Sequence, residues 1–128
     1  LRGWRIVIRI NNMEFTKDLI VVCTTVDSIK EARSISRILV EENLAACIQI
    51  NQVRSIFEWE DEVDETLEFK LSIKTVADNY ERIEEKLLEV HPYDLPEIIS
   101  VPIMYAYGPY AEWVDNQCGE NEEFEDDE

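Results

Sequence analysis

Residues 44–75 constrain this chain more than any other stretch: two long extended runs joined by an acidic turn. The return run, Leu67-Glu68-Phe69-Lys70-Leu71-Ser72-Ile73-Lys74-Thr75, alternates apolar and polar residues without a fault. That is the period-2 mark of a strand with one buried face. The outgoing run starts Leu44-Ala45-Ala46-Cys47-Ile48-Gln49-Ile50, continues Val53-Arg54-Ser55-Ile56-Phe57-Glu58-Trp59, and reverses through Glu60-Asp61-Glu62. Its phase slips: Ile48 and Ile50 share one parity, Val53, Phe57 and Trp59 the other. One extra residue near Asn51-Gln52, a β-bulge, would return both sets to the same face. The expectation is a long, bent hairpin with Phe57 and Trp59 towards its tip, an aggregation hazard unless another chain covers it.

Elements on either side of the hairpin complete a fold. Leu19-Ile20-Val21-Val22-Cys23-Thr24-Thr25-Val26 is apolar on both parities, as suits a central strand covered on both faces. Ser28-Ile29-Lys30-Glu31 has capping-box spacing. The helix it starts carries Ala32, Ile35, Ile38 and Leu39 as its apolar stripe, and Asn43 suits a left-handed stop. Asp78 is the expected cap of a second helix, with Tyr80, Ile83, Leu87 and Val90 on one face, ended by His91-Pro92. Residues 97–105 read as a strand in which Pro102, lacking a donor, demands an edge or a bulge. Gly108-Pro109-Tyr110 opens a short helix running to about residue 117. The order β-α-β-β-α-β plus a C-terminal helix predicts an α+β, ferredoxin-like sandwich with a long hairpin.

With 128 residues and 45% apolar content, one domain with its own core is expected, over 18–118. Seven acidic residues and a single aromatic, Phe124, fill residues 120–128, so 119–128 reads as a disordered acidic tail. Met13 offers an internal start, and 1–17 reads as a leader or an appended segment. The formal net charge of −17 argues against nucleic acid and against an anionic membrane surface. Three cysteines without tight spacing make neither a disulfide framework nor a zinc motif, and free thiols fit the reducing cytoplasm. No apolar run approaches membrane-spanning length.

Ferredoxin-like sheets serve many functions, so the site must decide. An RNA-recognition module needs aromatics within a basic motif on a central strand, which residues 67–75 do not carry. An acyl-phosphate hydrolase needs an arginine beside a glycine-rich anion loop; Val26-Asp27-Ser28 offers neither. His91, the single histidine, suits either a local cap at the helix end or a metal ligand. Cys23 and Cys47 read as small buried hydrophobes or as soft ligands. Glu97 and Glu68 are either exposed carboxylates or added oxygen ligands.

Several short motifs together carry a resemblance. They are Val22-Cys23-Thr24, Leu44-Ala45-Ala46-Cys47, Val53 through Glu60, Lys74-Thr75, His91-Pro92-Tyr93-Asp94-Leu95-Pro96-Glu97, and Tyr110-Ala111-Glu112-Trp113. Over residues 18–116, in this order, the chain resembles the CutA divalent-cation-tolerance family. The resemblance implies a subunit built into a tight trimer through its long strands, similar in architecture to the PII signalling proteins. It implies a role in tolerance of copper or another divalent cation; the spacing names no nucleophile–base pair, so no enzyme is expected, and the core suffices to fold without metal. It points to Cys23 as a ligand, beside a His-His pair before the proline. This chain has Val90-His91, so one imidazole of that pair is missing. Cys23 and His91, with Glu97 completing the shell, are the expected metal residues. The alternative is a PII-like scaffold whose inter-subunit clefts hold a small ligand or a protein partner, with Lys74, Tyr93 and Trp59 lining the cleft.

Overall fold

The β-branched run forms β1 (Leu19–Val26), followed by α1 (Ile29–Glu41), β2 (Cys47–Trp59), β3 (Glu62–Val76), α2 (Tyr80–Val90), β4 (Ile99–Pro102) and α3 (Gly108–Gly119). This is a computed structural model, and it describes residues 18–119. The expected leader or appended segment up to residue 17 and the acidic tail from residue 120 lie outside the described residues. The four strands form one antiparallel sheet of order β2-β3-β1-β4, so β1 is interior, as its two-sided apolarity requires.

Strand alternation sorts the side chains onto two faces. Ile20, Val22 and Val26 of β1 share a face with Leu71 and Ile73 of β3 and pack under α1 and α2, against Ala32, Ile35, Leu39, Ile83 and Leu87. Leu19 and Val76 share the opposite face and are covered by Ala111, Val114 and Cys118 of α3. Ser28 caps α1, its Oγ accepting from the Glu31 amide at 3.1 Å, and Asn43 ends that segment at φ 60°. Within α1 the buried residue beside Ile35 is Ser36, while Ile38 is half-buried.

Three local expectations change. β2 and β3 pair without interruption from Cys47↔Lys74 to Trp59↔Glu62, so there is no bulge at Asn51-Gln52. The phase slip has another cause. β1 reaches only to Val26↔Phe69, and Phe69 pairs with Gln52. Among the described residues neither β1 nor a helix covers the hairpin beyond that point, and the apolar residues of β2 change sides there. The second helix is entered through a 3-10 turn, Ala77–Asn79, which puts Asp78 inside the turn rather than at the cap position. β4 is four residues long and lies at the sheet edge, where the missing donor of Pro102 is tolerated.

Past Gln52, seven residues of β2 and their partners make a two-stranded arm about 20 Å long, at 3.2–3.4 Å rise per residue. Glu60 and Asp61, both at positive φ (54° and 68°), close it in a tight two-residue turn.

Candidate functional site

α2 ends because Pro92 pushes the preceding residue out of helical geometry, leaving His91 extended at φ −75°, ψ 137°. The chain then rounds the end of β1, and residues 91–97 hang beside the base of the arm. His91 anchors the start of this turn. Its Nδ1 accepts the Tyr93 N–H at 3.1 Å, and its Nε2 lies 3.0 Å from Thr24 Oγ1. A ring that accepts at Nδ1 carries its proton on Nε2 in the neutral form. Burial holds the imidazole below its usual pKa, opposed in smaller measure by a backbone hydrogen bond at Thr25 and the nearby carboxylates Glu31, Glu68 and Asp27.

Tyr93 fixes the turn to the arm. Its hydroxyl donates to Glu68 Oε2 at 2.7 Å, and Ser55 Oγ donates to Glu68 Oε1 at 2.6 Å. Glu68 is only 8% exposed, so these two donors replace water around a carboxylate. Burial is the larger cause, and Glu68 the second, of a Tyr93 phenol pKa pushed well above the ordinary range. Tyr93 is thus a permanent donor at neutral pH.

Between the turn and the arm lies an open cleft of about 730 Å³. Ser55, Phe57 and Trp59 line it from the arm, Tyr93 and Leu95 from the turn, and Thr25 from β1 beneath. Among the described residues, four carboxylates border it, those of Asp64, Glu68, Asp94 and Glu97, and no lysine or arginine lines it.

Of the residues expected at a cleft, Trp59 and Tyr93 converge here, and Glu97 joins them. Lys74 does not: its Nζ donates to Gln49 Oε1 at 2.7 Å, and it borders a smaller apolar pocket of about 230 Å³ beside α3. Cys23 and His91 are not brought together within the subunit. Thr24 pairs with Leu71 of the helix-covered core and holds the imidazole, whereas Cys23, one residue earlier, points to the opposite face. Cys23 is buried and Cys47 half-buried. Among the described residues no group of three or more His, Cys, Asp or Glu side chains is placed to hold one ion. Glu68 and Ser55 are the site residues hardest to anticipate. Glu68 sits on the polar parity of β3 and Ser55 is the polar break in the Val53, Phe57, Trp59 parity of β2, and neither pattern says anything about a partner on the 91–97 turn.

An antiparallel β2-β3-β1-β4 sheet with two helices on one face, an arm and a carboxylate-bordered cleft defines a ferredoxin-like α+β protein. Residues 20–117 match the family model for the CutA1 divalent ion tolerance protein. The chain belongs to this family. It is 39% identical over 100 residues to the divalent-cation tolerance protein CutA of Thermus thermophilus, an alignment covering 77% of this chain and 97% of that protein. The CutA homolog of Xenopus laevis is 43% identical over 84 residues, 65% of this chain and 56% of that longer protein. Among solved structures, CutA1 of Thermus thermophilus superposes with a TM-score of 0.76 at 38% identity, covering 79% of this chain and 99% of that one. The protein of Archaeoglobus fulgidus, described as a periplasmic divalent cation tolerance protein, gives 0.77 at 28% identity, covering 78% and 98%. Among the described residues no helix is long and apolar enough to cross a membrane.

Proposed function

We propose that this chain acts in divalent-cation tolerance as a non-enzymatic homotrimer of the cytoplasm, with the arm as its assembly element. The observation that supports the oligomer is the uncovered apolar surface of the arm: Phe57 is 42% exposed, Trp59 52% and Val63 73%. A two-stranded ribbon standing alone is marginally stable in water. Covering each aromatic contributes on the order of 1.5–3 kcal/mol, and β2 and β4 both present open edges to a neighbour. The number three comes from the family resemblance.

Copper is the finer part of this proposal, and the residues named for it do not fit a resident site within one subunit. Cys23 and His91 occupy opposite faces, and the Nδ1 lone pair of His91 is already used by the Tyr93 amide. The cation is therefore cargo held weakly, with Cys23, His91 and Glu97 not acting as one shell. Titration with Cu(II) separates the possibilities. Wild type and a Cys23→Ser, His91→Ala double variant should show the same weak uptake. A tight stoichiometric site lost in the double variant would reinstate the three-residue shell.

A second reading, a PII-like scaffold that holds a small ligand at the subunit boundary, draws on one observation: Trp59, Tyr93 and Glu97 share one cleft.

A further inference from the structure

α1 carries the densest run of positive charge among the described residues. Lys30, Arg33 and Arg37 recur at three and four residues, so they share one face of the helix, turned away from Ala32, Ile35 and Leu39 that meet the sheet. All three are exposed, and among the described residues none of them is in an ion pair, although the chain holds 29 acidic residues. Glu41, four residues beyond Arg37, is exposed too and does not close on it. Val40, 40% exposed, adjoins this face. Between Val40 and Ile48 of β2 lies a pocket of about 240 Å³ whose wall includes Arg37. Such a face fits an acidic segment that carries one apolar side chain.

The chain itself contains one. α3 runs to Gly119, and its last turn sits beside the exit of α1, where Asn43 Nδ2 donates to the Gln117 carbonyl at 3.4 Å. Residues 120–128 follow, with seven acids, a single aromatic in Phe124, and no cation. Nine extended residues span up to about 30 Å. Along the helix, at 1.5 Å per residue, Arg37 lies about 9 Å and Lys30 about 20 Å from Asn43. Composition gives this segment no core of its own, and a complementary surface within reach is what it needs to order. We propose that residues 120–128 run back along α1 as an acidic strap, with carboxylates on Lys30, Arg33 and Arg37 and Phe124 against Val40. The direction agrees with the helix dipole, because Glu125-Asp126-Asp127-Glu128 come towards the positive N-terminal end. The strap ties α1 to α3, which pack on opposite faces of the sheet. Its seat involves no residue of the arm, so copies covering the arm leave the cationic face in place.

The test reads how often the strap leaves its seat. Glutamyl endopeptidase cuts after Glu122 and Glu123 only when they are off the helix, so cleavage follows the undocked population. At low salt the full chain should be cut about tenfold more slowly than a Lys30→Gln, Arg33→Gln, Arg37→Gln triple variant, from the loss of three exposed ion pairs. The difference should vanish in about 1 M salt, where the screening length falls to roughly 3 Å. Phe124→Ser should lose part of the protection. Backbone amide shifts of the full chain, compared with those of a chain ending at Gly119, should differ along residues 30–40 of α1. Equal cleavage of the full chain and the triple variant at low salt would overturn the proposal, whether both are fast or both slow. So would protection that salt leaves intact, or shifts confined to the arm or the sheet. A mixture of triple-variant chains with chains ending at Gly119 separates the chain's own helix from a neighbour's. Protection regained in the mixture would mean that the strap crosses between copies, and would overturn the assignment to its own α1. None of these outcomes depends on whether the protein sediments as a trimer.

Discussion

Replacing Tyr93 with phenylalanine removes one oxygen and tests whether the 91–97 turn is latched to the arm. The phenol donates at 2.7 Å to a carboxylate that is 8% exposed, and among the described residues the other donor on that carboxylate is Ser55 at 2.6 Å. A hydrogen bond to a charged group contributes about 1.5–3 kcal/mol. Tyr93 is itself only half-buried, so water can reach part of the vacated position and the lower end applies. The expected loss is about 1.5 kcal/mol, read by denaturant unfolding at one fixed protomer concentration, because association adds to apparent stability. Ser55→Ala should cost a similar amount. The double variant should cost more than the sum, since Glu68 would then be buried with neither donor. The phenol should titrate well above its usual value of 10.0 in wild type, and Glu68→Gln should bring it only partly back, because burial is the larger cause. A Tyr93→Phe change within about 0.5 kcal/mol of wild type, the range of ordinary surface substitutions, would refute the latch.

Three further outcomes rest on local features of the chain. The folded pKa of His91 lies below its ordinary 6.5, so the stability it contributes is full above that value and is lost as pH falls through the window beneath it. The stability gap between wild type and His91→Gln should therefore narrow between pH 7.5 and 5, and a constant gap would contradict the assignment. Asn79, 2% exposed, donates to the Leu44 carbonyl at 3.1 Å and the Cys118 carbonyl at 3.3 Å, tying α3 to the segment that leads into β2. Asn79→Ala should cost about 1–3 kcal/mol and speed amide exchange in the last turn of α3; unchanged exchange there would sink this role. Changing Glu60 to Asn together with Asp61 to Gly relieves two side chains held at positive φ and should stabilise by on the order of 1 kcal/mol, with a loss of stability counting against the turn geometry.

The parts of the fold that could be read from sequence are those governed by local periodicity and backbone chemistry. The alternation of residues 67–75 marks β3, the two-sided run marks an interior β1, and Ser28, Asn43 and Pro102 sit where a cap, a left-handed stop and an edge require them. The bulge was expected because one buried face was assumed along the whole of β2. How far β1 and the helices extend is a tertiary fact, and it decides that the face of β2 covered at Ile50 is uncovered at Ile56. Part of the cleft's lining was readable. Trp59, Tyr93 and Glu97 do share a cleft, since the arm and the proline-bounded turn are both visible as motifs. Within one subunit Lys74 lies further along β3, on the α3 side, away from the arm. Glu68 was hidden because its partners, 13 and 25 residues away, meet it only through the fold.

The central claim, that the arm exists to be covered by copies of the same chain, is tested most directly by sedimentation equilibrium of the full chain at micromolar concentration. The chain mass is 15.0 kDa. A species of about three times that mass, persisting on dilution and lost when Phe57 and Trp59 are both changed to serine, is the expected result. A single species at 15.0 kDa would contradict it.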